Sequence, residues 1–190
     1  MIKAWQPPDE ATAASTLAVF VEWLRATARL PDADPATIRQ WSARDAAAFA
    51  AAIAAFAGLD PRAGNAANRL RHAGPQEALV LRRGGVRQSW SRDALRQNLP
   101  PLPADLAAAL GSGTWHDLVQ TAAWHLLRLN TRPDDRLLWA GDPTDARPLG
   151  ALICGATIIL TDAPADELPA IAAEELGEIL RPPPADPDAP

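Results

Sequence analysis

The sequence predicts an α/β fold in which a helical N-terminal part precedes a small sheet, with a βαβ unit flanked by helices. The main evidence is an apolar run, Arg136–Trp139, then a helix-like segment that ends at Cys154, then the β-branched run Thr157–Thr161. Strand, helix and strand in that order are the elements of a βαβ unit. Both runs are almost continuously apolar, which is typical of parallel strands buried on both faces.

The length of 190 residues suits one domain with three regions. Residues 1–59 are predicted as a helical N-terminal region and residues 60–180 as a small α/β region. Residues 181–190 (RPPPADPDAP) contain too little apolar surface to order themselves and are predicted as a disordered tail. The seven tryptophans, against three phenylalanines and no tyrosine, are interpreted as large core side chains.

The first two helices are predicted from periodicity and from a start signal. Ala11–Leu30 places apolar side chains three and four positions apart, on one helical face. Asp34 precedes Pro35, and an aspartate N-cap before a proline favours a helix that begins there, predicted as Pro35–Gln40.

The third helix is predicted to end near Ala57, because Gly58 is a typical helix stop. Its start is predicted as a capping box between Ser42 and Asp45, in which each side chain accepts from the other's amide. Trp41 precedes this cap and is predicted to pack back on the helix.

The elements after residue 60 follow from turn signals and periodicity. The predicted helices are Ser91–Gln97, Ala104–Leu110, Thr114–Leu129 and Ala163–Leu180, and Asn65–His72 is predicted as a short helix or a turn. A hairpin joins strands Ala78–Arg83 and Val86–Trp90 through Gly84-Gly85. Thr114 and Asp117 form a second capping pattern at the start of their helix.

Charge and cysteine content exclude several classes of protein. The net charge of −5 and the lack of a basic cluster argue against nucleic acid and anionic membranes as partners. The lone Cys154 lies in an apolar run and is predicted to be a small core residue. A single cysteine also excludes an internal disulfide framework. The first ten residues do not resemble a signal peptide, and no apolar stretch is long enough for a bilayer, so a soluble cytoplasmic protein is expected.

Polar residues that carry chemistry form no complete catalytic, cofactor or metal site. The stretch from Gly111 to Thr114 precedes a helix but lacks the lysine of a phosphate loop, so we interpret it as a helix cap. His116 and His125 are nine positions apart on one predicted helix, on opposite sides, and cannot share a metal. His72 lies in a basic turn with Arg69 and Arg71, interpreted as a solvated face.

The ligand-pocket candidates are Trp139, Gly141 and Asp142, which end or follow the first strand of the βαβ unit. Ligands of α/β proteins bind outside the carboxyl ends of parallel strands, which also draws attention to Asp145. Helix capping by Asp142 or Thr144 is the favoured alternative interpretation of these polar residues.

A series of short motifs runs through the N-terminal half. It comprises Trp5-Gln6-Pro7, Phe20–Leu24, Trp41–Phe49 with Ile53 and Phe56, then Pro61, Ala63, Asn65, Ala66 and Leu70, then Ala78–Val80 and Ser89–Ser91. The series resembles the acetyl- and acetoacetyl-CoA synthetase branch of the AMP-forming acyl-CoA synthetases, whose patterns are W-x-P, F-x-x-W-L, W-S-x-x-D-x-x-x-F, P-x-A-x-x-N-x-A-E-x-L, A-L-V and T-W-x-x-L. The family's tryptophan after Phe49 is Ala50 here, and the glutamate of the next motif is absent.

A second, shorter block resembles the family's R-P-G-D-R-x-x-W and G-A-T-x-V-L-x-D patterns. It comprises Arg132–Arg136 with Trp139, and Gly155–Asp162. In the family this block lies well downstream, beyond a phosphate loop. The resemblance therefore covers most of the chain to about Asp162, in two blocks.

The departures from the family pattern determine the expected function. The phosphate loop, the late adenylate-binding motifs and the C-terminal domain with its catalytic lysine are missing, and Lys3 is in the wrong place. Acyl adenylation needs positioned phosphates, Mg²⁺ and stabilisation of developing charge. The resemblance therefore implies a degenerate relative that does not catalyse alone, and ATP or CoA would be cofactors only if the family activity survives.

Three functions remain open at this point. The first is a folded, inactive relative that binds an acyl or nucleotide ligand or a protein partner. The second is a split acyl-CoA ligase completed by another chain, and the third is an unrelated interaction module whose tryptophan-rich helices form a docking face, as a homo-oligomer or with a protein partner.

Overall fold

The computed structural model describes residues 15–72, 76–142, 145–175 and 177–180. The helices are α1 (Thr16–Ala26), α2 (Pro35–Arg44), α3 (Ala46–Ala57), α4 (Asn65–Arg69), α5 (Arg92–Gln97), α6 (Ala104–Gly111), α7 (Trp115–Ala123) and α8 (Leu168–Glu174). A π-helical turn (Trp124–Arg128) continues α7, and a 3₁₀ helix covers Pro148–Cys154. The strands are β1 (Glu77–Arg83), β2 (Val86–Ser91), β3 (Arg136–Trp139), β4 (Thr157–Thr161) and β5 (Glu178–Leu180).

These strands form one mixed sheet in the order β2-β1-β4-β3-β5. β1 and β2 are an antiparallel hairpin, and the other neighbouring pairs are parallel. β3 and β4 lie side by side with Leu138 opposite Ile159, so the predicted βαβ unit is confirmed, with a 3₁₀ helix as its connection. The predicted α/β class, with helices before and around a small sheet, is confirmed as well.

Helices cover both faces of the central strands. On one face Val80, Leu138 and Ile159 pack with Leu168 and Ile171 of α8. On the other face, alternate strand residues contact the 3₁₀ helix, α5 and α6. All five residues of β4 are buried, as expected for a parallel strand between two layers.

Helices α1 to α3 pack around an aromatic cluster, which we define as Phe20, Trp23, Trp41, Phe49 and Phe56. Phe20 is fully buried, and its ring centroid lies 5.0 Å from that of Phe56 and 6.4 Å from that of Phe49. These edge-on arrangements are the favourable geometry for aromatic rings. Buried residues of α7 join the same apolar core, so the N-terminal helices are packed against the α/β region.

The predicted capping box at Ser42 is wrong, whereas Trp41 does pack on the following helix, with its ring centroid 5.6 Å from that of Phe49. Both residues lie inside α2; the Ser42 hydroxyl donates to the carbonyl of Arg39 (2.9 Å). Asp45 alone caps α3, where its carboxylate accepts from the amide of Ala48 (3.0 Å). Continuing α2 buries Trp41 on the same face as Ile38, and this burial outweighs a local preference for serine at a cap.

Helix boundaries elsewhere differ from the prediction where the backbone turns. α1 ends at Ala26 rather than Leu30, because Ala28 adopts a left-handed conformation with φ of 53°. The predicted helix Thr114–Leu129 is confirmed to Ala123 and then widens into the π-helical turn. Residues 1–14 and 181–190, which include the predicted start of the first helix and the predicted tail, lie outside the described residues.

The predicted helix Ala163–Leu180 is wrong over most of its length. Only Leu168–Glu174 is helical, and β5 then extends the sheet beside β3. At Gly177 an added Cβ would lie 3.1 Å from Ile159 Cδ1 and 3.3 Å from the carbonyl oxygen of Arg136, so the chain passes close to the sheet there. By pairing with the open edge of β3, β5 forms hydrogen bonds with backbone groups of that edge, which would stay unpaired if the helix continued.

An arginine–glutamate cluster joins β1, β2, β3 and the end of α8; its members are Glu77, Arg82, Arg87, Arg136 and Glu175. Arg87 Nε donates to Glu175 Oε1 (2.7 Å), and Arg136 Nη2 donates to Glu175 Oε2 (3.0 Å). The side chain of Glu175 is 4% exposed. The hydrogen bonds from Arg87 are the main cause of the lowered pKa of Glu175.

Candidate functional site

A cleft of about 430 Å³ lies between α4, α7 with its π-helical turn, and the segment that follows β3. We call it the arginine cleft, because three arginines line it. The lining residues are Arg69, Gly113, Asp117, Gln120, Thr121, Trp124, Arg128, Ala146 and Arg147. A volume of this size accommodates a small organic ligand.

Arg69, the last residue of α4, is a buried cation in the wall of this cleft, with 1% of its surface exposed. Its Nη1 donates to the carbonyl of Ala109 (3.1 Å), to that of Leu110, and to that of Ser112 (3.3 Å). These carbonyls end α6, where the helix dipole favours a cation. The buried Nε makes no hydrogen bond with any described residue.

The charge state of Arg69 follows from its surroundings. Burial lowers the pKa of Arg69 to about 10, and the carboxylate of Asp117 opposes this shift. The guanidinium is therefore protonated at neutral pH. Since the surrounding protein screens its charge less than water does, the field of Arg69 reaches into the cleft.

Arg128 and Arg147 bring two further cations to the cleft. Arg128 ends the π-helical turn, is exposed, and forms no ion pair with the described residues. Arg147 Nε donates to the carboxylate of Asp145 (2.7 Å), and its guanidinium carbon lies 5.7 Å from the ring centroid of Trp139. Arg147 is thus already paired, whereas Arg128 is available to a ligand.

One wall of the cleft is the first turn and following face of α7. The predicted capping pattern of Thr114 and Asp117 is confirmed, because the Thr114 amide and hydroxyl both donate to Asp117 Oδ2 at 2.7 Å. These bonds, the backbone one first, lower the pKa of Asp117. Trp124 adds a half-buried ring at the start of the π-helical turn, a type of element that often occurs at functional sites.

His125 lies under the cleft as a buried structural residue. Its Nε2 faces the carbonyl of Arg147 (3.1 Å) and its Nδ1 faces the Thr131 hydroxyl (3.2 Å). Burial lowers the pKa of His125 to about 4, so it is neutral, with Nε2 donating to the carbonyl. An added Cβ at Gly150 would lie 2.7 Å from His125 Cδ2, so only glycine permits this contact.

The pocket candidates from the sequence lie together and do not line the arginine cleft. Trp139 is fully buried and its Nε1 donates to the carbonyl of Asp142 (2.8 Å). A Cβ at Gly141 would lie 2.7 Å from the Trp139 ring, so the glycine allows the chain to fold over the indole. Trp139 and Gly141 line a smaller hollow of about 290 Å³ at the carboxyl ends of β3 and β4, whereas Asp142 is exposed.

Helix capping by Asp142 is not what the structure shows. The 3₁₀ helix begins at Pro148, after Arg147 as its N-cap, and no side chain caps it. Asp145 instead accepts from the amide of Arg147 (2.8 Å) and binds its guanidinium. Thr144, the other predicted cap, lies outside the described residues.

The remaining candidates are structural. His116 is exposed and contacts Gln120 (2.8 Å), which confirms that it and the buried His125 lie on opposite sides. The prediction of a solvated basic turn is wrong for Arg69, which is buried, and for His72, whose Nε2 contacts the Ile153 carbonyl (2.7 Å). Cys154 is buried as predicted, and burial raises the pKa of its thiol to about 12.

Sequence reasoning missed the arginine cleft. Arg69 and the α7 residues are about fifty positions apart, and no spacing rule connects them. Within the described ranges, no group of three or more histidine, cysteine, aspartate or glutamate side chains could hold a metal ion. The same ranges contain no helix with the length and apolar character needed to cross a membrane.

Comparisons with family models, with curated proteins and with solved structures find no match to this chain.

Proposed function

We propose that this protein binds a small organic anion in the arginine cleft and does not catalyse acyl activation alone. We further propose that it is a degenerate relative of the AMP-forming acyl-CoA synthetases. The observation that carries the binding proposal is Arg69: a buried, protonated guanidinium in the wall of an open cleft, with one nitrogen unsatisfied.

The positive charge of the cleft supports an anionic ligand. Burying a cation without a carboxylate partner is costly. The carbonyls at the end of α6 offset part of this cost for Arg69. A ligand carboxylate or phosphate in the cleft would offset more of it, and Arg128 is free to donate to the same anion.

The placement of the family-like motifs supports the proposed ancestry. The R-P-x-D-R-x-x-W and G-A-T stretches form β3 and β4, which are adjacent in the centre of the sheet. The proposed lack of acyl activation is supported by the chemistry of the side chains. The only lysine in the sequence is Lys3, and the Asp117 carboxylate in the cleft is held by Thr114 rather than presented to a metal.

The proposed setting is the cytoplasm, with no nucleic-acid partner. A single buried cysteine suits a reducing compartment, and a net charge of −5 disfavours nucleic acid.

Isothermal titration calorimetry tests the proposal on the full chain at physiological salt. We expect at least one of benzoate, acetate, AMP, cyclic AMP, ATP or CoA to bind, and Arg128→Gln to weaken that binding about tenfold, since a charged hydrogen bond is lost. Arg39→Gln, on the exposed side of α2 and outside the cleft, is the matched control and should bind like the wild type. No heat with any of these anions would refute anion binding.

The absence of acyl activation is tested separately. Purified protein with ATP, Mg²⁺, CoA and a panel of short carboxylates should release no pyrophosphate above a protein-free control. Pyrophosphate release that depends on both ATP and the carboxylate would overturn the non-catalytic assignment.

A further inference from the structure

The number of charges in the arginine cleft limits the charge of its ligand. Arg69, Arg128 and Arg147 bring three positive charges, and Asp117 together with Asp145 brings two negative charges. The pKa of Asp117 is lowered, so this carboxylate stays ionised at neutral pH. One net positive charge remains for a ligand, and one negative charge would neutralise it.

The carboxylates also determine which anions the cleft disfavours. Asp117 lines the cleft itself, and Asp145 is fixed beside it through its hydrogen bonds to Arg147. A ligand with several negative charges would neutralise the free cation with one of them. Its remaining negative charges would then lie close to the carboxylates of Asp117 and Asp145. Like charges at short range in a partly buried site repel, which is a common source of specificity.

The uncharged part of the cleft favours a flat body on the ligand. Trp124 lines the cleft with an indole ring, and Ala146 adds a small apolar side chain to the lining. Planar groups stack on such a ring, and the volume of about 430 Å³ has room for one or two fused rings with a charged group.

We infer that the cleft selects an organic monoanion with a flat body, a carboxylate or a phosphodiester, and rejects polyphosphates. This inference rests on the proposed anion-binding function and adds the charge of the ligand to it.

A series of three adenosine compounds varies the charge of the ligand while the adenosine part stays nearly the same. Cyclic AMP, AMP and ATP carry about one, two and four negative charges at neutral pH, and calorimetry at physiological salt should show affinity falling in that order. We expect cyclic AMP to bind at least tenfold more tightly than ATP. If ATP binds measurably, and as tightly as cyclic AMP or more tightly, the inference is wrong, while the anion-binding function stands.

A second pair of compounds, benzoate and its neutral analogue benzamide, varies the charge of the ligand while the ring stays the same. Benzoate should bind at least tenfold more tightly than its neutral analogue benzamide, and more tightly than acetate, which lacks a ring. Binding of benzoate but not cyclic AMP would identify a carboxylate, and the reverse a phosphodiester. Measurable and equal binding of benzoate and benzamide would overturn the inference. If no anion binds at all, both the inference and the proposed function are wrong.

We expect Asp117→Asn to tighten the binding of AMP, a gain that a merely structural role of Asp117 would not produce. Asparagine keeps an oxygen that can accept the Thr114 hydrogen bonds while it removes one negative charge from the cleft. We expect AMP to bind about tenfold more tightly to this variant than to the wild type, and cyclic AMP to lose its advantage. An unchanged preference for cyclic AMP over AMP would contradict the charge argument.

Discussion

The aromatic cluster of α1 to α3 and the arginine–glutamate cluster of the sheet stabilise their regions by different means. In the first, Phe20 contacts Trp23, Phe49 and Phe56 through ring surfaces. In the second, Glu175 has three arginine partners on three strands. Charge therefore joins strands that are distant in sequence, whereas ring contacts join helices that are close in sequence.

The largest expected effect is in the aromatic cluster. Phe20→Ala removes a fully buried ring and should lower the free energy of unfolding by about 4 kcal/mol, through lost burial and a cavity. Urea denaturation at low and high salt measures this loss, which should be the same in both. Val19→Ala, its neighbour with 54% exposure, should change stability by less than about 0.5 kcal/mol.

The next effect on stability concerns His125, in the π-helical turn. Its pKa is about 4 in the folded protein and near 6.5 when unfolded, so the unfolded state binds the proton more tightly. Stability should therefore be complete above pH 6.5 and fall by up to about 3 kcal/mol as the pH drops to 4. His72, whose pKa is also lowered by burial, acts in the same direction.

Stability curves of His125→Gln between pH 7 and pH 5 check this assignment. The variant starts from a lower stability because a buried hydrogen-bonded ring is lost, but its dependence on pH should be much flatter. A slope equal to that of the wild type would show that His125 does not cause the loss.

The arginine–glutamate cluster should give a smaller effect. Glu175→Gln removes the buried carboxylate of the cluster and leaves Glu77 as the acidic partner of Arg87 and Arg136. We expect a loss of about 2 kcal/mol, less than for a fully buried pair because the arginines remain partly in water. Chemical denaturation measures it. Glu174→Gln is the matched control: its side chain is 61% exposed and should contribute little. Equal losses for both variants would mean that the burial of Glu175 is unimportant.

The smallest expected losses of stability concern two helix caps, one in the N-terminal helices and one beside the sheet, and these losses should be equal. Ser15 caps α1 and Ser91 caps α5, each accepting an amide at 3.1 Å three residues on. Ser15→Ala and Ser91→Ala should each cost about 1 kcal/mol, because capping depends on local geometry. Thermal unfolding of the two variants compares them directly, and a several-fold difference would show that tertiary contacts dominate one of the caps.

The sequence predicted elements well where one local signal had no competitor. Gly58 adopts the left-handed conformation that ends α3, and the Thr114 capping pattern begins α7 as expected. The strand Thr157–Thr161 was predicted with the bounds that the structure shows. In each case, the residues that decide the conformation are within a few positions of one another.

Prediction failed where a distant partner offered a larger gain than the local signal. Trp41 keeps α2 helical past Ser42 because its burial in the aromatic cluster is favourable. β5 forms because the edge of β3 is open beside it, and no local pattern in residues 163–180 contains that information.

By itself, the sequence determined the α/β class, the βαβ unit, most caps and the burial of Cys154, since periodicity, β-branching and capping act over a few residues. The tertiary structure alone decided that Arg69 is buried, that Glu175 meets three arginines, and that Arg128, Arg147 and Trp124 surround one cleft. These side chains come from segments tens of residues apart, and only the packing of α4, α7 and the loop after β3 brings their charges within range of one ligand.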